Sequence, residues 1–192
     1  MAGAWLREEQ PDVAVDRILD AADKAFAELG VAAAGMAEIA EFASCSRGTV
    51  YRYFHNRHEL HLAYVDRAAR EIGGRVRASI SAIEDPRARL VEGVLTAIRE
   101  VRRNPGTAAW FELGSSGVAA RMSRASEVVD TLTSSFVAQL IGRRGEEQRL
   151  RAQWLVRVIL SLLATPCESE QEERALLERF VAPVLLVEDG DA

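Results

Sequence analysis

Two short apolar-periodic stretches, Met36 to Ala43 and Arg47 to Phe54, stand on either side of a three-residue break, Ser44-Cys45-Ser46. Isolated helices shorter than about 12–15 residues are marginal in water, so neither stretch is stable alone. Both need a longer helix behind them. The preceding segment supplies one: Pro11 and Asp12 form a start signal. Ile18, Ala22, Ala25, Phe26 and Leu29 then fall on one helical face, and Gly30 is a C-terminal stop. In the second short helix Ile39, Ala40 and Ala43 face inward. In the third, capped by Ser46, Val50 and Phe54 do so. Three helices in this order make a helix-turn-helix unit, whose last short helix is free on one side to enter the major groove of DNA.

That free side is unlike the rest of the chain. Across 192 residues the formal net charge is −5, yet the segment from Cys45 to Leu60 has arginines at 47, 52 and 57 and tyrosines at 51 and 53, and its first acid is Glu59. An acidic chain is not built to coat nucleic acid indiscriminately, but a local basic face can still read it. Arg47 lies in the first turn of the third helix, where a guanidinium reaches a guanine edge. Tyr51, Tyr53 and Arg57 suit phosphate oxygens. Gly48 costs a helix about 1 kcal/mol against alanine, and close approach to DNA is a reason for it.

The remaining sequence reads as helix throughout, without β-type alternation. Expected helices run from about Glu59 to Ile83, Arg87 to Arg103, a short segment carrying Trp110 and Phe111, Val118 to Ile141, Glu146 to Ala164, and Glu170 to about Leu186, with Pro183 as a kink. The fold class is therefore all-α, about nine helices with short connections. Hydrophobic residues make up 48% and charged residues 28%, the balance of a globular domain. The most apolar run, Trp154 to Ala164, contains Arg157 and is too short to span a bilayer. No secretory signal pattern occurs at the N-terminus, and the two cysteines, Cys45 and Cys167, match no zinc or redox spacing. A cytoplasmic location with reduced thiols is expected. His58 and His61 could share a helix face, but nothing supplies a clear third ligand beyond the loop residue His55, so no metal is expected and the histidines read as surface polar groups or phosphate contacts. The run Gly114 to Gly117 lacks a nucleophile-elbow order and reads as a helix–helix turn. No converging acid, base, nucleophile or cofactor cradle is present, which argues against an enzyme and against any cofactor. A scaffold without DNA contact would leave the Arg47 to Phe54 patch without a purpose.

The stretch "AAGMAEIAEFASCSRGTVYRYFHNRHEL", and above all "GTVYRYF" followed by a basic residue and leucine, resembles the DNA-binding signature of the TetR family of bacterial transcriptional regulators over about Ile18 to Leu60. The resemblance implies a flexible tail at 1–11, a helix-turn-helix domain at 12–58, and a ligand-binding and dimerisation domain at 59–192. It implies base contacts around Arg47, Gly48 and Thr49, phosphate contacts at Tyr51, Tyr53 and Arg57, and either role for Arg52. It places Trp110, Phe111, Met122, Phe136 and Trp154 on segments around a central cavity for a small, mainly apolar inducer, with Trp110→Ala then sparing operator binding while losing the response. The partners implied are double-stranded, roughly palindromic operator DNA and a second copy of the chain. The last two helices, with wide apolar faces that include Leu176, Leu177, Phe180, Val181, Val184 and Leu185, are the expected dimer contact. Two departures stand out. Gly35 occupies the cap position where the family often has threonine, and Ser44 takes a turn position where the family commonly has glycine, which strains Ser44 if the left-handed turn persists.

Overall fold

The computed structural model describes residues 11–112, 115–142 and 145–187, and the tail expected at 1–11 lies outside them except for Pro11, which opens the first helix. Among the described residues there is helix and no strand. Helix α1 (Pro11–Ala33) bends at Gly30, whose φ of 77° interrupts the helical path. Its inner face carries Ile18, Ala22, Ala25 and Phe26, each fully buried, whereas Leu29 is exposed rather than inward. Helices α2 (Met36–Phe42) and α3 (Arg47–Tyr53) close over that face. Ile39, Ala40, Val50 and Phe54 complete the first core cluster, and burial of each large apolar side chain contributes about 1.5–3 kcal/mol.

Local chemistry sets the ends of these pieces. The Ser46 hydroxyl accepts from the Thr49 amide at 3.1 Å and starts α3. Gly35 has no side chain to cap α2, so Glu38 supplies half of a capping box, its carboxylate accepting from the Gly35 amide at 3.0 Å. Between them Ser44 sits at φ 53°, the one non-glycine residue with positive φ among those described. A left-handed L-residue costs about 1–2 kcal/mol. Ser44→Gly is therefore expected to raise the unfolding free energy by about 1 kcal/mol in a denaturant titration, with the fold unchanged. A destabilised variant would show that the turn is held by something other than backbone strain.

Helix α4 (Arg57–Ser79) is capped by Asn56, which accepts from the Glu59 amide at 2.9 Å, and it stops four residues earlier than its apolar pattern suggested. Asp85 and Pro86 start α5 (Pro86–Arg103), and Asn104 caps the single turn α6 (Pro105–Ala108), which passes into a 3-10 turn (Ala109–Phe111). Gly106 lets this turn lie directly on α1: a Cβ there would fall 2.7 Å from the carbonyl oxygen of Asp23.

The expected helix from Val118 to Ile141 is in fact two, α7 (Ser116–Ala125) and α8 (Glu127–Ile141). Ser126 breaks the run because its hydroxyl accepts from the Val129 amide at 3.0 Å and donates to Asp66 on α4 at 2.6 Å. A serine followed by acids at 127 and 130 was a legible start signal. Helix α9 (Glu146–Ala164) keeps its expected limits. The last helix is interrupted as Pro183 requires. After α10 (Glu170–Leu176), a π-turn (Leu177–Val181) takes up the missing donor and ring clash of proline before α11 (Ala182–Leu186).

A second cluster, built from Leu90, Val94, Ile98, Leu155, Leu177 and Leu185, fills the space between α5, α9 and the last helices. Arg102 fastens it by donating to both oxygens of the buried Glu173, at 2.6 and 3.1 Å, and to the Leu162 carbonyl at 3.1 Å. Phe111 packs against both clusters, so the 3-10 turn is where they meet.

Candidate DNA-reading surface and ligand cavity

Helix α3 presents Arg47, Gly48, Tyr51 and Arg52 to solvent, while Val50 and Phe54 anchor it from behind. Each arginine is partnered with a tyrosine. The Arg47 guanidinium lies 5.4 Å from the Tyr51 ring centre and donates to its hydroxyl at 3.3 Å. Arg52 stands 5.0 Å from the Tyr53 ring centre and donates to that hydroxyl at 3.3 Å. These contacts preorganise two flat cationic groups on an otherwise open surface. Gly48 has no internal reason to be glycine, since a Cβ there would meet only the Ser46 hydroxyl at an ordinary 3.7 Å.

Two residues assigned to DNA contact are turned elsewhere. Thr49 is buried, its hydroxyl 2.9 Å from that of Ser46, so it completes the cap instead of reaching a base. Arg57 donates to the carbonyl oxygens of Val31 and Ala32, closing the end of α1, and its Nε lies 3.3 Å from His61 Nε2. Four residues at a helix end leave carbonyls unpaired, and Arg57 satisfies two of them; a phosphate would have to compete with those bonds.

His61 is likewise not a surface group. It is buried edge-on against Phe26 and Trp110, with ring centres 5.4 and 5.0 Å away. Burial first, then the positive charges of Arg57 and His58, push its pKa down to about 4 from the ordinary 6.5. The unfolded chain takes up this proton more readily than the folded one. The stability is therefore fully present above about pH 6.5 and is lost as pH falls toward 4. Between about pH 7 and about pH 5 the wild type is expected to lose about 2 kcal/mol of unfolding free energy that a His61→Leu variant keeps, at about 1.4 kcal/mol per pKa unit. Equal pH slopes in the two proteins would show that His61 is protonated without cost. His55 faces solvent and pairs with Glu59 at 3.0 Å, and among the described residues no three potential metal ligands converge.

Phe26, His61 and Tyr64 surround the Trp110 indole. Tyr64 stacks on it in parallel at 5.7 Å, Phe26 meets it edge-on at 5.3 Å, and the Tyr64 hydroxyl donates to Asp23 at 2.6 Å. Tyr64 carries no separate sequence signal, because a tyrosine inside a long amphipathic helix is indistinguishable from core. The cluster joins α1 and α4 to the 3-10 turn.

Behind that turn, α4, α5, α8 and α9 enclose a cavity of about 320 Å³, lined mostly by apolar side chains and glycine. Trp110, Phe111 and Phe136 line it. Met122 and Trp154, grouped with them on sequence, do not: Met122 is buried in the first cluster, and Trp154 packs at the edge of the second on an α9 face shared with Leu150 and Val158. Gly93 and Gly73 shape the wall, since a Cβ on either would press on Phe136 or Leu132. The last helix divides its apolar residues between two faces. Leu177, Val181 and Leu185 enter the core, whereas Leu176, Phe180 and Val184 are exposed, Phe180 to 64%.

A helix-turn-helix with an exposed arginine-bearing third helix, set on a helical body around an apolar cavity, defines a class of transcriptional regulators. Residues 18–64 match the family model of the bacterial regulatory proteins of the tetR family, to which this chain belongs. It is 40% identical over 186 residues to an HTH-type transcriptional regulator, Rv1255c, of Mycobacterium tuberculosis, covering 96% of this chain and 92% of that one. Its fold is similar to those of RolR in complex with resorcinol (TM-score 0.68, 19% identity, 95% and 97% of the two chains) and of the TetR family repressor AlkX from Dietzia sp. strain DQ12-45-1b (0.64, 23%, 88% and 93%), the latter implicated in biodegradation of n-alkanes. Among the described residues no helix is long and apolar enough to cross a membrane.

Proposed function

We propose that this regulator is a cytoplasmic repressor that holds a roughly palindromic operator as a homodimer and releases it when a small, mainly apolar molecule enters the cavity lined by Trp110, Phe111 and Phe136. In this reading residues 12–58 bind DNA and 59–192 bind ligand and partner. The observation that carries it is the aromatic cluster: Trp110 and Tyr64 line the cavity and also pack on Phe26 and His61, which hold α1 and α4. Those two helices set the position of α3. A dimer meets DNA with one spacing between its two α3 helices, and a ligand that binds another spacing more tightly shifts the equilibrium away from DNA. By linkage the operator weakens ligand binding by the same factor, typically about 5–150-fold.

Base reading falls to Arg47 and Arg52, with Tyr51 and Tyr53 on phosphates. The exposed stripe of Leu176, Phe180 and Val184, together with Trp154 and Leu150 on α9, supports pairing of the last helices into a four-helix bundle with a second copy. A gel-shift titration with the DNA upstream of the protein's own gene tests the reading. Arg47→Ala is expected to lose about 1–3 kcal/mol of preference for operator over random DNA. Gly48→Ala is the sharper probe: its folded stability should hold or rise by up to about 1 kcal/mol, while operator affinity falls. If both variants bind operator as the wild type does, α3 is not the reader.

A further inference from the structure

Among the described residues Arg77 is the one charged side chain lining the cavity, and no carboxylate lines it. It lies in the last turn of α4 and is exposed to solvent. Among the described residues no ion pair or hydrogen bond engages its side chain, whereas Arg75, Arg99, Arg102 and Arg174 are each held by a glutamate. Helices α4 and α8 run alongside each other in a register given by Asp66 with Ser126 and Gly73 with Leu132. That register brings Ser135 level with Arg77 and Gln139 about one turn beyond it, both lining the cavity. The opposite end is aromatic, formed by Trp110 and Phe111. The cavity is thus mainly apolar, with a cation at one end and only neutral polar groups, Thr107, Ser123, Thr133, Ser135 and Gln139 among them, in the rest of its described lining.

We propose that the ligand is a monocarboxylate with an apolar body, its carboxylate paired with Arg77 and its body lying toward Trp110 and Phe111. This rests on the reading of the cavity as the effector site and narrows the effector to one chemical class. Guanidinium and carboxylate match in shape and charge and form paired hydrogen bonds. A cationic amphiphile would meet Arg77 with no acid to offset it, which is unfavourable. A wholly neutral molecule would leave the arginine unused. One unpaired cation suits one negative charge, and a volume near the lower end of the usual 300–1,000 Å³ range suits a compact body.

The test is calorimetric titration of the full chain, below micelle-forming concentrations, with decanoate and phenylbutyrate as carboxylates, decanol and phenylbutanol as their neutral counterparts, and decyltrimethylammonium as the cation. The two carboxylates separate an aliphatic source from an aromatic one. At least one is expected to bind about tenfold more tightly than its alcohol, an advantage that shrinks with added salt because Arg77 is exposed. Arg77→Gln should remove that advantage while leaving the alcohol's affinity unchanged, a split that a merely structural role would not produce. Alcohol or cation binding as tightly as carboxylate, or a preference that survives in Arg77→Gln, overturns the proposal and leaves the cavity as an effector site. Binding of none of the five overturns both.

Discussion

Replacing Phe180 and Val184 together by aspartate is expected to give a folded protein of monomeric mass that has lost about 100- to 10,000-fold in operator affinity. The fold should survive because both side chains are mostly exposed, at 64% and 57%, while Leu177, Val181 and Leu185 still anchor the last helix in the core. Two carboxylates in an apolar two-fold contact meet their own copies across the axis, and like charges held close without partners are strongly unfavourable. The loss in DNA affinity follows from geometry. A dimer engages its second half-site as an intramolecular event at an effective concentration near millimolar, and a monomer forfeits that advantage, typically about 10²–10⁴. Light scattering at micromolar concentration and a gel shift on the same sample provide the check. A dimeric mass, or undiminished operator affinity in a proven monomer, would contradict pairing through this face.

Trp110→Ala is expected to cost about 3–5 kcal/mol of unfolding free energy, the usual range for truncating a buried aromatic. Domain stabilities are only about 5–15 kcal/mol, so operator binding should fall with stability near 37 °C and recover on cooling. The expectation that this variant spares DNA binding followed from treating Trp110 as cavity lining alone. The structure makes it shared: one part of the indole borders the cavity, and the rest is enclosed by Phe26, His61 and Tyr64. Trp110→Phe should be far milder. The indole N–H is buried with no acceptor among the described residues, so phenylalanine removes that donor as well as some contact area. Chemical denaturation of both variants measures the difference. If alanine and phenylalanine at 110 unfold at the same midpoint, the aromatic cluster is not what ties α1 and α4 to the cavity. Response to ligand is better probed at Phe136, which lines the cavity from α8 without touching that cluster.

What the sequence determined by itself is almost all local. Helix type, the Ser46 cap, the break at Gly30, the start at Pro86 and the interruption before Pro183 follow from residues within one turn of each other. The strain at Ser44 was legible for the same reason, because a left-handed turn position tolerates glycine best whatever surrounds it. The reader helix was legible too, since its basic and aromatic surface is a pattern at helical spacing. Only the tertiary structure decided which polar groups stay outside. Arg57 and His61 look like solvent-facing residues on a helix, yet α1 lies over them and offers carbonyls to one and, with Trp110 of the 3-10 turn, an aromatic ring to the other. The same holds for the aromatics. Trp110, Met122, Phe136 and Trp154 are all large and apolar, and their division among cavity, buried core and the half-buried edge of the second cluster depends on where helices distant in sequence cross. Hydrophobicity is non-directional: it dictates that these side chains be covered, and packing alone chooses what covers them.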